Sequence, residues 1–464
     1  MNRLSLVTAI LFFSFSMGWA SPASAQYTED DFSTTIMASD LEVPWELKFG
    51  PDGKLWFTER PGRVRRMDVQ TGNIEQLVDL NQVLQVQESG LLGMAFHPQF
   101  EDTPAVFLSY TYRGESGGVT GRISRFELQN GSLGSETILL EDIPGNNIHN
   151  GSRLVVTPDH KLLATTGDAA QQQSAQDKDK LSGKVLRMNH DGSIPADNPF
   201  PNSYVYSYGH RNPQGMVILP DSTIVSSEHG PTSDDEVNVI RPGANYGWPQ
   251  VRGYCNQTSE RSFCNQNDVV EPMIAWTPTV ATSGIDYYDH QAISCWQGKL
   301  LMLTLKQMDL RVMTMNADRD SIIDENILFD QDFGRLRDLA IGPDGSLYFS
   351  TSNRDGYAPR PWPKEGDDHI VRVRLKSAST GRDAAQQGVT IYPTPSVDSF
   401  TLAIPKDRQV RYFQLYSLAG SEIMREKDIQ TTRRFSTDAM EPGVYLYQLE
   451  MENGELLEGK IILR

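Results

Sequence analysis

The chain is 464 residues long, 38% hydrophobic and 22% charged, which suits a folded protein of two domains and not a disordered chain. Its net charge of -18 argues against nucleic acid or an anionic membrane surface as a partner, since both would repel it. In so acidic a sequence, arginines and lysines gathered inside the fold point to an anionic ligand.

The first element in chain order is a secretory signal. Arg3 supplies the positive start, Leu4 to Trp19 the apolar core, and Ala23-Ser24-Ala25 a small-residue cleavage site before Gln26. Ser14 and Ser16 interrupt the apolar run, which falls short of the roughly 20 residues a membrane span needs. Residues 1–25 are therefore expected as a signal peptide. The mature protein is expected to be exported through the periplasm to the cell surface or beyond, with no transmembrane segment.

From about Tyr27 to Lys376, short apolar runs alternate with turn residues, and helical periodicity is scarce. One phrase recurs. It reads Pro51-Asp52-Gly53-Lys54-Leu55-Trp56-Phe57-Thr58-Glu59, then Pro158-Asp159-His160-Lys161-Leu162-Leu163-Ala164-Thr165-Thr166-Gly167-Asp168. A looser copy runs from Leu219 to Glu228, and the last is Pro343-Asp344-Gly345-Ser346-Leu347-Tyr348-Phe349-Ser350-Thr351. Pro-Asp-Gly sets a tight turn, and the run behind it is a strand. Hairpins at this spacing predict an all-β domain over residues 27–376, a β-propeller of about six blades. A parallel β-helix also repeats, but with a much shorter period.

Several loops between these strands carry chemistry. His149 stands ahead of a strand with Gly151 beside it, and Asp168 ends the same repeat copy. A carboxylate one hairpin away can hold one imidazole nitrogen and leave the other to accept a proton. Arg211 and Asn212 lie in Gly209-His210-Arg211-Asn212-Pro213, a turn that offers a guanidinium and an amide. Gly230-Pro231 offers bare carbonyl oxygens, which suit a hard cation such as Ca²⁺. Cys255 and Cys264 flank a polar loop and either close a small disulfide or stand as spectator thiols, with Cys295 left over. Lys306 follows an apolar strand, and Arg335 and Arg337 alternate along an extended segment, so both point to one face. In a propeller such loops meet around one channel, where four cations would demand a ligand with several carboxylates or phosphates.

Behind Lys376 the composition changes. Residues 377–388 are rich in small residues and read as a linker. Residues 389–464 form a compact β module, marked by Tyr392-Pro393, Gly443-Val444-Tyr445 and a basic end at Arg464. This module resembles the C-terminal sorting domain of the type IX secretion system, a small Ig-like β-sandwich, and the resemblance implies the type IX machinery as a partner.

The chain from about Val43 to Leu375 resembles the soluble pyrroloquinoline-quinone (PQQ) dependent glucose/aldose-sugar dehydrogenases, the glucose/sorbosone dehydrogenase family. The matching stretches include Glu88-Ser89-Gly90-Leu91-Leu92-Gly93, the His149 segment, residues 186–200, 209–215, 230–236 and 243–249, Trp276-Thr277-Pro278-Thr279 and Gly334 to Asp338. The family fold is a six-bladed propeller. The resemblance implies His149 as general base, Asp168 as the residue that orients it, and Arg211 beside the quinone carbonyl that gains charge. It implies Asn212, Thr279, Lys306, Arg335 and Arg337 as contacts of PQQ, and the Gly230 and Pro231 carbonyls as ligands of Ca²⁺. A small-molecule sugar and an external electron acceptor complete the expected partners. Glu88 stands where some members carry Gln, and Ile148 where the glucose enzyme has an acidic residue. Both face the sugar by the resemblance, so Glu88 is expected to bind substrate and the substrate to be an aldose or sorbosone-type compound other than glucose alone. The other expectation is a propeller without catalysis, stabilised by Ca²⁺, that binds glycans or proteins at the cell surface.

Overall fold

The Pro-Asp turns fold as their residues predict. Asp52 Oδ1 accepts from the Lys54 N–H at 3.2 Å, Asp221 from Thr223 at 3.1 Å and Asp344 from Ser346 at 3.1 Å. The strands behind the turns are Leu55–Glu59, Leu162–Thr166, Ile224–Glu228 and Leu347–Thr351, and every residue of the four is buried. A strand covered on both faces needs a neighbouring layer on either side. The structure, a computed structural model, supplies it. It describes residues 27–376 throughout and, from 382 to 463, all but 384–387, 394–395, 406–407, 418–421, 430–431, 438–439 and 453–455. The expected signal peptide and most of the expected linker lie outside the described residues.

Among the described residues, 32–375 form six four-stranded sheets built by antiparallel hairpin pairing. In chain order their first strands are Pro44–Phe49, Leu91–Phe96, Leu154–Val156, Pro213–Ile218, Thr282–Tyr288 and Leu336–Ile341. Five sheets take their strands in sequence order. In the sixth, Phe32–Ala38 from the start of the described chain takes the outer place beside Ile370–Leu375. Each first strand packs against the first strand of the next sheet, and that of the sixth packs against that of the first, which closes a ring. The apolar core is accordingly divided into wedges between neighbours. Trp56, Leu91 and Met94 join the first and second sheets, and Phe107, Leu162 and Leu186 the second and third. Val225, Ile285 and Leu300 join the fourth and fifth.

The recurring phrase also stitches the sheets. Its fourth strand residue is a hydroxyl that donates to the next sheet: Thr58 to Leu92 O at 2.7 Å, Thr165 to Pro213 O at 3.1 Å, Ser227 to Ser283 O at 2.6 Å and Ser350 to Pro44 O at 2.8 Å. Each acceptor lies at a register shift in a first strand. A bulge takes a carbonyl out of the ladder, and the hydroxyl restores its hydrogen bond. At the third residue of these strands, Gly93 and Gly215 lie so close to the next sheet that a Cβ would meet Ser152 O at 1.9 Å and Ser283 O at 2.4 Å.

Glu46 and Asp338 take that third place in the first and sixth sheets, and both are buried. Arg153, 3% exposed, binds them at 2.7 and 3.0 Å, and its Nε donates to Gln214 O at 2.9 Å. Four of the six sheets thus meet at one guanidinium. Its outer face lies over Trp45, 4.4 Å from the ring centre.

The connection that precedes Ile274–Trp276 carries the helix Thr258–Asn267, and Cys255 is bonded to Cys264 there. An oxidising compartment allows such a bond. No helix among the described residues is long and apolar enough to cross a membrane. The chain divides into two compact units, residues 34–372 and residues 373–464 with 31–33. In the second, a five-stranded and a three-stranded sheet share one core built on Phe400, Phe413 and Phe435.

Removing Arg153 would leave the buried Asp338 carboxylate without a cation in contact and Glu46 with Lys48 alone, at 2.8 Å. Arg153→Leu is expected to cost about 3–5 kcal/mol of stability, read as a lowered midpoint in urea.

Candidate active site

His149 sits in a loop that only a tightly supported backbone can hold. Its φ is 59° and that of Ser152 is 85°, both left-handed values that L-residues resist. The Glu88 carboxylate accepts the His149 N–H at 3.0 Å, and the Asn212 side-chain oxygen accepts the Gly151 N–H at 3.1 Å. Gly167 lies against the His149 carbonyl, where a Cβ would approach to 1.9 Å.

The imidazole Nδ1 lies 2.8 Å from Asp168 Oδ1. Asp168 is fully buried, and it also accepts from the Ala170 N–H at 2.8 Å and from Trp248 Nε1 at 2.9 Å. A carboxylate acceptor at Nδ1 selects the tautomer with its proton there and leaves Nε2 as an acceptor. Trp248 joins this pair to the next loop, because the Arg211 guanidinium lies over its ring at 5.4 Å.

Glu228 builds that loop. It closes the third copy of the recurring strand, and its carboxylate accepts from the backbone N–H of both Arg211 and Asn212 and binds His210 Nδ1 at 2.9 Å. The Arg211 side chain donates to His229 O at 3.2 Å and leaves its Nε without a partner. Burial draws its pKa down, against the pull of Asp168 and Glu228. Asn212 Oδ1 takes the Gly151 and Gln214 N–H groups, which leaves its NH₂ to donate.

A cavity opens beside these loops, lined by Trp45, Arg60, Glu88, Gln214, Arg335 and Arg337 among others. As expected, Arg335 and Arg337 share one face, and Asp355 lies between them, 2.8 Å from Arg335 and 3.8 Å from Arg337. Burial and the neighbouring Arg335 and Arg60 pull Arg337 down to about 10. His229 lines the same cavity, and burial, Arg211 and Arg337 push it down to about 3, so it is neutral. Lys306 stands at an exposed place, and its Nζ donates to Thr279 Oγ1 at 2.9 Å.

The Gly230-Pro231 carbonyls belong to a loop pinned by Asp235, which accepts the N–H groups of Gly230, Val280 and Ala281. This loop lines a second cavity with Arg211, His229 and Trp248, so the two cavities meet at His229. Among the described residues, no three His, Cys, Asp or Glu side chains group as metal ligands. A cation at the loop would rely on backbone oxygens and on those of a ligand.

The structure therefore brings together His149, Asp168, Arg211, Asn212, Glu88, Arg335 and Arg337, and sets Lys306 on Thr279. Sequence reasoning missed Arg60, Gln214, Glu228, Trp248 and Asp355. A signal was present for two of them: Arg60 directly follows one recurring strand and Glu228 ends another, as Asp168 follows a third.

Glu228→Gln keeps the shape of this carboxylate and withdraws its charge. The Arg211 and Asn212 amides are expected to exchange hydrogen about tenfold faster, roughly 1.4 kcal/mol of lost local protection, with the fifth sheet unchanged.

Residues 41–360 match the family described as Glucose / Sorbosone dehydrogenase, and residues 390–464 match the Secretion system C-terminal sorting domain. Aldose sugar dehydrogenase YliI of Escherichia coli is 32% identical over 373 residues, 77% of this chain and 98% of the relative. Quinoprotein glucose dehydrogenase B of Acinetobacter calcoaceticus is 28% identical over 442 residues, 76% of this chain and 92% of the relative. The PQQ-bound form of the aldose sugar dehydrogenase of Streptomyces coelicolor superposes with a TM-score of 0.65 at 32% identity, covering 74% of this chain and 98% of that one. These likenesses agree: the chain belongs to the glucose/sorbosone dehydrogenase family and carries a secretion-system C-terminal sorting domain behind it.

Proposed function

We propose that the chain is an exported, PQQ- and Ca²⁺-dependent dehydrogenase that oxidises aldose sugars at C1 to lactones and passes the electrons to an external acceptor. The observation that carries this reading is His149: its Nδ1 is held by the buried Asp168 carboxylate, which leaves Nε2 to accept, and Asn150 and Gly151 beside it line a cavity walled by arginine.

The residues fit the proposed cofactor. A flat tricarboxylate suits a cavity whose wall presents Arg60, Arg335 and Arg337, two of them with a buried Nε that lacks an acceptor. Arg335, Arg337 and Lys306 would pair with its carboxylates, with Thr279 beside Lys306 and the free NH₂ of Asn212 as a further donor. The Gly230 and Pro231 carbonyls are hard oxygen donors on a pinned loop and would hold the Ca²⁺. When bound, PQQ supplies the two-electron acceptor for the hydride of C1, and Ca²⁺ the Lewis acid beside it.

The chain's own residues do the rest. His149 Nε2 takes the proton of the C1 hydroxyl while C1 gives up its hydride, which leaves C1 doubly bonded to oxygen in the lactone. Asp168 balances the imidazolium that forms, and Trp248 holds Asp168 in place. Arg211 holds positive charge where negative charge develops. Glu88, through its link to the His149 backbone, is placed to meet the sugar. A binding protein without catalysis has no use for a histidine polarised in this way.

The six sheets are read as the blades of a six-bladed β-propeller over residues 27–376. Residues 377–388 are read as a linker and 389–464 as a small Ig-like sandwich that addresses the chain to the type IX secretion machinery.

In dye-linked oxidation of aldoses, His149→Ala is expected to lower turnover by about 10²–10⁴-fold with PQQ affinity within a few-fold of wild type. Equal activity in the variant would remove the base from the account. Stripping Ca²⁺ with a chelator is expected to abolish turnover, and added Ca²⁺ to restore it.

A further inference from the structure

The cavity holds a cation that nothing among the described residues neutralises by contact. Arg60 follows Glu59 at the end of the first recurring strand and is 5% exposed. The buried guanidiniums around it all have acceptors: Arg335 holds Asp355 and Leu305 O, Arg337 holds Gln214, and Arg153 holds Glu46 and Asp338. Arg60 has no acceptor among the described residues, and its Nε is buried without one. The nearby carboxylates, Asp355 and Glu88, accept from other groups and make no contact with Arg60. Asp355 accepts from Arg335, Ser352 and the Tyr357 N–H, and Glu88 accepts from the His149 N–H.

Arg60 is also held in position. Its N–H donates to Val43 O at 3.3 Å and its carbonyl accepts from Leu91 at 2.9 Å. Gly90, at φ 144°, packs on its backbone, and a Cβ there would come within 2.4 Å of the Arg60 carbonyl. Burial disfavours the charge, and Asp355, Glu88, Tyr357 and Asp368 oppose that only from a distance. A guanidinium does not give up its proton at ordinary pH. A buried one therefore calls for an anion in contact, and its planar fork matches a carboxylate.

We propose that Arg60 binds a carboxylate of the ligand in this cavity, in addition to those paired with Lys306, Arg335 and Arg337. Two sources share that chemistry: the quinone cofactor of the reading above, on which this arm rests, and an acidic sugar such as a hexuronate.

The test uses the full chain with Ca²⁺ and two variants, Arg60→Gln and Arg60→Lys. Three ligand readouts are taken: PQQ affinity by fluorescence titration, citrate affinity by calorimetry without quinone, and KM for glucose and glucuronate. Arg60→Gln is expected to weaken citrate binding at least tenfold, with partial recovery in Arg60→Lys, which keeps the charge without the fork. A matching loss of PQQ affinity assigns the carboxylate to the cofactor. Unchanged PQQ affinity, with KM raised about tenfold for glucuronate and not for glucose, assigns it to the sugar. Citrate, PQQ and glucuronate all within twofold of wild type in Arg60→Gln would overturn the proposal, as would a wild-type protein that binds none of them. A wild type that binds citrate through Arg60 but not PQQ would remove the quinone reading and leave the carboxylate site standing.

Discussion

Arg153 is the contact on which the architecture turns. A ring of sheets has no single apolar centre, so its axis has to be closed by something other than a packed core. Here the inner strand at Gly284 leaves room for the Asp338 carboxylate, which a Cβ there would meet at 2.2 Å, and the Arg153 guanidinium lies between Asp338 and Glu46. Desolvating three charges is costly, and only close pairing offsets it. Direction is gained in return. Gln214, whose carbonyl is held by Arg153, turns its side chain to Asn212 and Arg337 in the cavity above. The axis thus sets the position of the wall that faces the ligand.

The site applies the same physics with the opposite sign. At the axis every charge has its partner inside the chain. In the cavity the arginines are only partly matched, because Asp355 serves Arg335 closely and Arg337 at a greater distance. That imbalance leaves positive charge inside a protein whose overall charge is strongly negative. The histidine has its own buried carboxylate, Asp168, which also acts on Arg211. Trp248 is the residue that couples them, through a hydrogen bond to Asp168 on one side and a ring under Arg211 on the other.

Much of this was legible in the sequence, and the limits have physical causes. The Pro-Asp turns and buried strands could be read because turn chemistry and alternation are local. The repeated Thr or Ser in those strands was visible as a letter, but its purpose lies in a carbonyl of the next sheet, some 34–56 residues away in the hydrogen bonds formed by Thr58, Thr165 and Ser227. Arg335 and Arg337 were placed on one face by the period of a strand alone. Glu228, Gln214 and Asp355 were missed because their partners come from other sheets and leave no spacing to read. His149 and Asp168 were paired at the level of one hairpin, whereas Trp248, 80 residues beyond Asp168, was not. Of the sorting domain, motif order gave the likeness, and the shared phenylalanine core gives the reason it folds.

The central claim is that loops from separate sheets converge on one bound quinone. A crystal structure of the protein grown with PQQ and Ca²⁺ tests it most directly. The account predicts the quinone in the cavity between Arg335, Arg337 and Arg211, with the metal on the Gly230 and Pro231 carbonyls and His149 Nε2 open toward it. Quinone bound away from that cavity, or a cavity that stays without it at saturating concentration, would contradict the account.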